Sequence, residues 1–462
     1  TVSVNALSVS EINGSIDELN IVYASGSSNE ISNLGDENVT ITDTSVSDAS
    51  TLNTLNGYTT GTITADSVTA LTGTASALNT LLTAGNNASV ANQFSANSFA
   101  SLATATVSDS TMSLADLNGA IAQANIATGK STLAAGATVF SLSSGATINT
   151  GNEAAFTTLL GNETNGLISL TDQKLNVNTG TISVDNANLL AATTTGTVTA
   201  SITTTERVSE LTTLSETINA YTIVISSEDA AVSASDLNTI NDATTVAVDL
   251  TNVTSITSSS LTDLGILGTA IGNSEFSNAT GITTIALSDT TIDATTLAAT
   301  IDSIDTINGG GTTLMTLASG ATINVAAGDD VAHMLLDETE QRLDIVDQNI
   351  VVTGNISVDN ANLLSATTGG TVTASITTTE SIAELKTLTE TSNAYTIVIA
   401  SADAAATAAD IIELAGKTTG TINTSAVTAI TGTYDQITAL YGSAGVDNLG
   451  DEAISISDTL TI

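Results

Sequence analysis

The chain repeats itself, and that repetition limits its fold more than any other feature. Residues 182–225 read ISVDNANLLAATTTGTVTASITTTERVSELTTLSETINAYTIVI. Residues 356–399 read ISVDNANLLSATTGGTVTASITTTESIAELKTLTETSNAYTIVI, an ungapped match at an offset of 174 residues with 36 of 44 positions identical. Self-similarity at a fixed spacing marks stacked supersecondary units, each burying its apolar face against its neighbours. The expected organisation is one continuous repeat array over 1–462 with no separate catalytic domain. Related segments span 139–241 and 314–415, and the ends 1–44 and 419–459 share one phase. The expected fold is a repeat solenoid of stacked parallel β-strands with short α-helices or loops per coil. An all-β parallel β-helix is the alternative.

Composition fits thin, regular layers. Hydrophobic residues make up 41% of the chain, too many for a disordered acidic segment. Aromatics are only 2% and Trp is absent, so Ala, Val, Ile and Leu must build the core. There is no Pro, as continuous strand pairing requires, because Pro removes a ladder donor. No Cys is present, which excludes disulfides, thiolate metal sites and cysteine nucleophiles. No apolar run is long enough to span a membrane as a helix.

Charge narrows the partners. The chain carries 48 acidic and 6 basic residues, a formal net charge of -42. Lys130, Lys174, Arg207, Arg342, Lys386 and Lys417 lie far apart, so no basic cluster exists to neutralise nucleic-acid phosphates. An anionic membrane surface would repel the chain, so direct insertion is not expected. Such charge calls for screening by salt or for divalent cations. The surface is read either as a solvated acidic face or as a specific cation binder.

A smaller motif recurs within the long one: a polar cap, a Leu-containing segment, Thr-Thr-Gly-Thr or a relative, then an alternating strand. Asp48 precedes Leu52 and Leu55 and leads to Thr59-Thr60-Gly61-Thr62-Ile63. Asp185 leads to Thr194-Thr195-Gly196-Thr197-Val198, Ser235-Asp236 to Thr244-Thr245-Val246, and Asp410 to Thr418-Thr419-Gly420-Thr421-Ile422. The Ser or Asp ahead of each Leu-bearing segment is expected to cap a short helix. Leu114, Leu117 and Ile121 share one helical face. The glycine is expected to end the helix in a left-handed conformation. Coils of roughly 25 residues follow from the spacing, some with strand and loop only.

The ends match: Asn33-Leu34-Gly35-Asp36-Glu37 is repeated as Asn448-Leu449-Gly450-Asp451-Glu452. Neither end shows a polar capping unit. The chain also lacks an initiator Met and a signal-peptide pattern, so it reads as a processed chain or a window on a longer one. Strands are expected near 2–5 and 454–462, each leaving an edge for the next subunit or for more of the array.

The phrases TTGTITADSVTALTGTASALNTLL, TTGTINTSAVTAITGTYDQITALY and NLGDENVTITDTSVSDASTLNTLNG resemble Thr/Ala/Asn-rich repeat arrays of very large secreted or cell-surface proteins of marine bacteria, especially cyanobacteria. The resemblance covers nearly the whole chain. It implies an extracellular or cell-surface location, a role in a surface layer, sheath, filament or adhesin, and calcium. The glycine-aspartate nonapeptide of calcium β-rolls is absent: Gly309-Gly310-Gly311 is followed by Thr-Thr-Leu.

Catalytic chemistry has little material. His333 is the only histidine and lies among Met334, Leu335 and Leu336, which reads as a structural helix position. A serine triad or a histidine-rich metal site would have to use that one residue. Carboxylate pairs at Asp36-Glu37, Asp329-Asp330, Glu338 with Glu340, and Asp451-Glu452 could suit a glycosidase, but aromatic platforms and basic residues are nearly missing. Hard cations fit better, since calcium takes oxygens from Asp, Glu, Asn and carbonyls. Asp36, Glu37, Asp451 and Glu452 are the Ca2+ candidates, because Gly35 and Gly450 permit a tight turn. Asn-x-Ser/Thr triplets at Asn13, Asn38 and Asn87 are what chance gives in such a composition. The expectation is a non-enzymatic structural protein that stacks head to tail with itself or continues in a longer chain. The stalk of an adhesin or viral tail fibre is the alternative.

Overall fold

Alternating Val, Ile and Thr favour short extended segments, because β-branched side chains lose little rotamer freedom on a pleated surface. The computed structural model describes residues 4–87, 94–96, 98–151, 153–307, 314–326 and 328–458. Among them lie 31 short strands and 15 α-helices, and every strand pairing is parallel. Each strand faces another 20 to 36 residues away, as Asn355 faces Ser375 and Thr111 faces Thr147. Parallel partners need a crossover, and a helix of one to four turns fills it. The all-β alternative is thereby overturned.

The chain forms two compact units. The first comprises Thr1–Glu206, Glu210–Ile223 and Asp242–Val246; the second comprises Arg207–Ser209, Val224–Asn241 and Ala247–Ile462. In the first, the longest sheet orders Thr111–Ser113, Thr147–Asn149, Lys174–Asn176, Val198–Ser201 and Ala220–Thr222 side by side. Its register stacks Met112, Ile148, Leu175 and Val198 in one buried column. In the second, a seven-stranded sheet runs from Thr291–Asp293 to Val446–Asp447. There Ile292, Ile323, Ile350 and Val372 form the column, and a neighbouring sheet stacks Val232, Ile256, Ile285, Met315 and Leu343. Burying each such side chain contributes about 1.5–3 kcal/mol, so the columns dominate cohesion within each unit.

Helices lie where the apolar spacing puts them. Leu114–Thr128 buries Leu114, Leu117, Ala120, Ile121 and Ala124, with Ser113 as N-cap. Asp48 caps Ala49–Asn56 as expected, its carboxylate accepting from Ser50 N. The other three expected caps are displaced. Ser183 caps Val184–Thr193 and Thr407 caps Ala408–Ala415. The Ser233 hydroxyl accepts from Asp236 N at the start of Ala234–Asp242. Asp236 and Asp410 instead sit inside the first turn, where each accepts from the cap hydroxyl at 2.7 Å. A carboxylate there gains both that bond and the positive end of the helix dipole.

The two long copies keep the same local bonds. Tyr221 Oη donates to Ala187 O and Tyr395 Oη to Ala361 O, at 3.3 and 3.2 Å. Asn188 and Asn362 each donate to a carbonyl one turn of chain later, Thr213 O and Thr387 O. The end strands are Val4–Asn5 and Ala453–Ile456; positions 2–3 and 459–462 of the expected end strands lie outside the described residues.

Candidate functional site

The two Asn-Leu-Gly-Asp-Glu loops were the metal candidates, and the structure separates their carboxylates. Asp36 and Asp451 are exposed, whereas Glu37 is fully buried and Glu452 is 9% exposed. Each pair sits in a bend just ahead of a strand, Asn38–Ile41 or Ala453–Ile456, with one acid turned out and the next turned in, so the two carboxylates of a pair do not share one environment. Glu37 Oε2 accepts from Gly35 N at 2.8 Å and from Tyr23 Oη at 3.3 Å. Glu452 Oε2 accepts from Gly450 N and Tyr441 Oη, both at 2.8 Å. Burial pushes the Glu452 carboxyl up, but the Gly450 amide and the other hydrogen bonds outweigh it and hold it below its ordinary value. Burial pushes the Tyr23 phenol up to about 12. The remaining Oε1 of each glutamate is buried without a protein partner. A single inward oxygen is far from the six to eight that calcium takes. Among the described residues, no three His, Cys, Asp or Glu side chains meet in a way that could hold a metal ion.

What grips the first loop is the Thr-Thr-Gly segment of the following pass. Thr59 Oγ1 donates to Glu37 O at 2.7 Å and accepts from Gly61 N at 2.9 Å. Thr60 N donates to Gly35 O at 2.7 Å. The same hook recurs at Thr194 on Gln173 O (2.6 Å), Thr368 on Gln348 O (2.6 Å), Thr418 on Tyr395 O (2.8 Å) and Thr244 on Tyr221 O (2.8 Å). The left-handed role expected of the glycine is wrong: none of Gly61, Gly196 and Gly420 has a positive φ. A Cβ on Gly61 would lie 2.1 Å from Glu37 O, and on Gly196 and Gly420 2.3 Å from Gln173 O and Tyr395 O. Glycine is there because a neighbouring backbone passes too close for any side chain.

A second device went unread in the sequence. The first amide of many helices is capped by a carboxylate from a later pass. Asp43 accepts from Ile16 N, Asp109 from Ala75 N and Asp289 from Leu261 N, each at 2.6 Å. Asp229 serves Val208 N and Asp403 serves Ile382 N at 2.9 Å, and Asp458 serves Tyr434 N at 2.7 Å. Glu206 and Glu380 do the same for Val184 N and Val358 N at 3.2 Å. The sequence signal was present: Asp43, Asp109, Asp289 and Asp458 each stand between two Ser or Thr residues just past an alternating strand. These eight of the 48 acids therefore serve helix starts, where orphan amides and the dipole favour an anion.

The other candidates are dispersed. His333 is exposed on Asp329–Thr339. The Asp329 side chain lies outside the described residues, and Asp330 accepts from Thr295 Oγ1 at 3.2 Å. Glu338 accepts from Ile345 N at 3.0 Å, and Glu340 pairs with Arg342 at 3.2 Å. Arg342 also pairs with buried Asp337, whose carboxyl burial pushes up against the pull of that guanidinium. Lys386 bridges Asp410 and Glu413, both at 2.7 Å, and Arg207 bridges Glu228 and Asp229. Three of the six cations thus tie elements together within the second unit. A depression of about 350 Å³ in the first unit is lined by Ala191, Thr194, Glu216, Ile218 and Asn219, with no nucleophile and base hydrogen-bonded to each other. No described helix is long and apolar enough to cross a membrane. Compared with known proteins, the chain matches no family, no curated protein and no solved structure.

Proposed function

We propose that this protein is a non-enzymatic structural element of a cell-surface layer, extracellular filament or matrix. In this reading each unit is a solenoid, with the strand–helix pass as its repeat. The observation that carries the proposal is the use made of polar groups. The threonine hydroxyls, the asparagine amides and many of the carboxylates named above bond one pass to the next, and catalysis would need such groups free and convergent. A high acid content with salt or divalent counterions outside the cell completes the proposal. Arrays of this kind are extended end to end, by copies of the chain or by further passes of the same type.

The test is sedimentation velocity and electron microscopy of residues 1–462 over a wide concentration range in salt with calcium. Reversible growth into filaments is the expected result. A monomer at every concentration, together with hydrolytic activity on acidic polysaccharides, would overturn the proposal.

A further inference from the structure

The two long copies are near-identical, so the places where they differ stand out. Of the 44 paired positions in 182–225 and 356–399, eight differ. Nine residues of the first stretch line the depression of about 350 Å³ in the first unit, and three of those eight differences fall among them. Ala191 stands where the second copy has Ser365, Thr195 where it has Gly369, and Ile218 where it has Ser392. These exchanges remake the chemistry of the depression. Asn219 is 1% exposed, and its side-chain oxygen is committed to Val198 N at 2.8 Å, so the amide keeps its orientation. Its Nδ2 is left buried without a partner on the floor beside Ala191, whereas Asn393 Nδ2 donates to Ser365 Oγ at 2.8 Å. An unpaired buried donor costs free energy until an acceptor reaches it. Two hydroxyls of the wall have spent their protons on the protein: Thr193 donates to Leu189 O at 2.7 Å and Thr195 to Thr171 O at 2.9 Å. Their oxygens keep acceptor capacity only. Glu216 adds a carboxylate on the exposed rim, with φ of 69° where Glu390 has no left-handed φ. Ile218, 49% exposed, adds an apolar wall.

We propose that this depression binds one ring of a neutral sugar. Its ligand must place an acceptor at Asn219 Nδ2 and bring donors to Thr193 Oγ1, Thr195 Oγ1 and the Glu216 carboxylate. A hydroxyl does both, because it gives one proton and accepts on its oxygen. An ammonium group has no acceptor for Asn219, and a carboxylate has no proton for the wall. The net charge of -42 disfavours anions further. One ligand hydroxyl takes the place that Ser365 Oγ holds in the second copy, and the C–H face of the ring lies against Ile218. A volume of about 350 Å³ is at the lower end of small-molecule sites, room for one ring rather than a long chain. The site goes beyond the structural role proposed above and does not depend on end-to-end assembly.

The experiment titrates the full 462-residue chain, isotope-labelled for NMR, with glucose, galactose and N-acetylglucosamine, and with glucuronate and ethylammonium as charged controls. At least one neutral sugar is expected to shift the Asn219 side-chain amide saturably, while both controls leave it in place. Ala191→Ser gives Asn219 the partner that Asn393 already has. It is expected to weaken sugar binding about tenfold, the worth of about one hydrogen bond. Its unfolding midpoint should not fall, which separates lost binding from lost structure. Ile218→Ser and Glu216→Gln are expected to weaken binding several-fold, each without moving the Asn219 amide of the free protein to its Ala191→Ser position. No saturation by any of the three sugars at millimolar concentrations would overturn the proposal and leave the depression to water. Equal saturation by ethylammonium would overturn it in favour of a general acidic surface, and unchanged sugar affinity in Ala191→Ser would overturn the role of Asn219 and the site with it.

Discussion

Asn219 and Asn393 hold the same position in the two long copies, yet only one has its full set of bonds. Each side-chain oxygen accepts from a strand amide, Val198 N or Val372 N, at 2.8 and 2.7 Å. Asn393 Nδ2 donates to Ser365 Oγ at 2.8 Å, whereas Asn219 Nδ2 is buried without a partner because Ala191 stands in the place of that serine. Ala191→Ser should therefore stabilise the chain by about 0.5–1.5 kcal/mol, and Ser365→Ala should cost about 1–3 kcal/mol by orphaning a donor. Denaturant melts of the two variants check both signs; an unchanged Ala191→Ser midpoint would show that water already serves Asn219. Titration separates two glutamates in the same way. The Ser381 amide and hydroxyl hold the exposed Glu384 carboxyl below the ordinary value of 4.5, and burial pushes Glu338 above it. The signs differ accordingly. Glu384 contributes stability above pH 4.5 that is lost as pH falls through its folded pKa. Glu338 does the reverse, favouring the fold as pH falls through its raised pKa toward 4.5. Carboxyl NMR should place the Glu384 midpoint below 4.5 and the Glu338 midpoint above it.

At the scale of the strand–helix pass, the hook glycine is the position with least freedom. Gly61→Ala forces a Cβ against the Glu37 carbonyl, and overpacking of that kind costs about 1–3 kcal/mol. Gly161, within the helix Glu153–Thr164, has open space around its Cβ position, so Gly161→Ala should stabilise by about 0.5–1 kcal/mol. Opposite shifts in thermal midpoint for these two changes are expected; shifts of the same sign would refute the close-approach account. The contrast also shows what could be read from residues alone. Parallel strands and helices were legible because alternation and the Leu114, Leu117, Ile121 spacing are local patterns. The reason for Gly61 was not, because it depends on a carbonyl 24 residues earlier. The Asp43 cap for Ile16 N was hidden likewise, since its amide lies 27 residues away. The split of Asp36 from Glu37 was hidden too, because the tight glycine turn suggested convergence and the pair stands in a bend ahead of the strand Asn38–Ile41. Only the fold reveals that the turn serves to point Glu37 back at Gly35 N.

Across the whole molecule, 48 acids face 6 bases, so repulsion among outward carboxylates opposes folding at low salt. Opposing forces are modest: basic residues are few, and an exposed ion pair such as Arg207 with Glu228 contributes only about 0–1 kcal/mol. Salt weakens both, but the excess of one sign makes relief of repulsion the larger effect. Raising sodium chloride from about 10 mM to about 1 M shortens the screening length from about 30 Å to about 3 Å. The thermal midpoint should rise by at least the ~2–4 °C that about 1 kcal/mol produces in a unit of this size. Calcium at equal ionic strength then distinguishes screening from chelation at the loops. Asp36 and Asp451 point outward alone, with Glu37 and Glu452 turned inward onto glycine amides. The double variant Asp36→Asn, Asp451→Asn should therefore respond to calcium as the parent does, measured by calorimetry across a calcium titration. A calcium-dependent rise in the parent that vanishes in the double variant would instead make these loops true calcium sites. That outcome would require Glu37 or Glu452 to leave its glycine amide and swing outward.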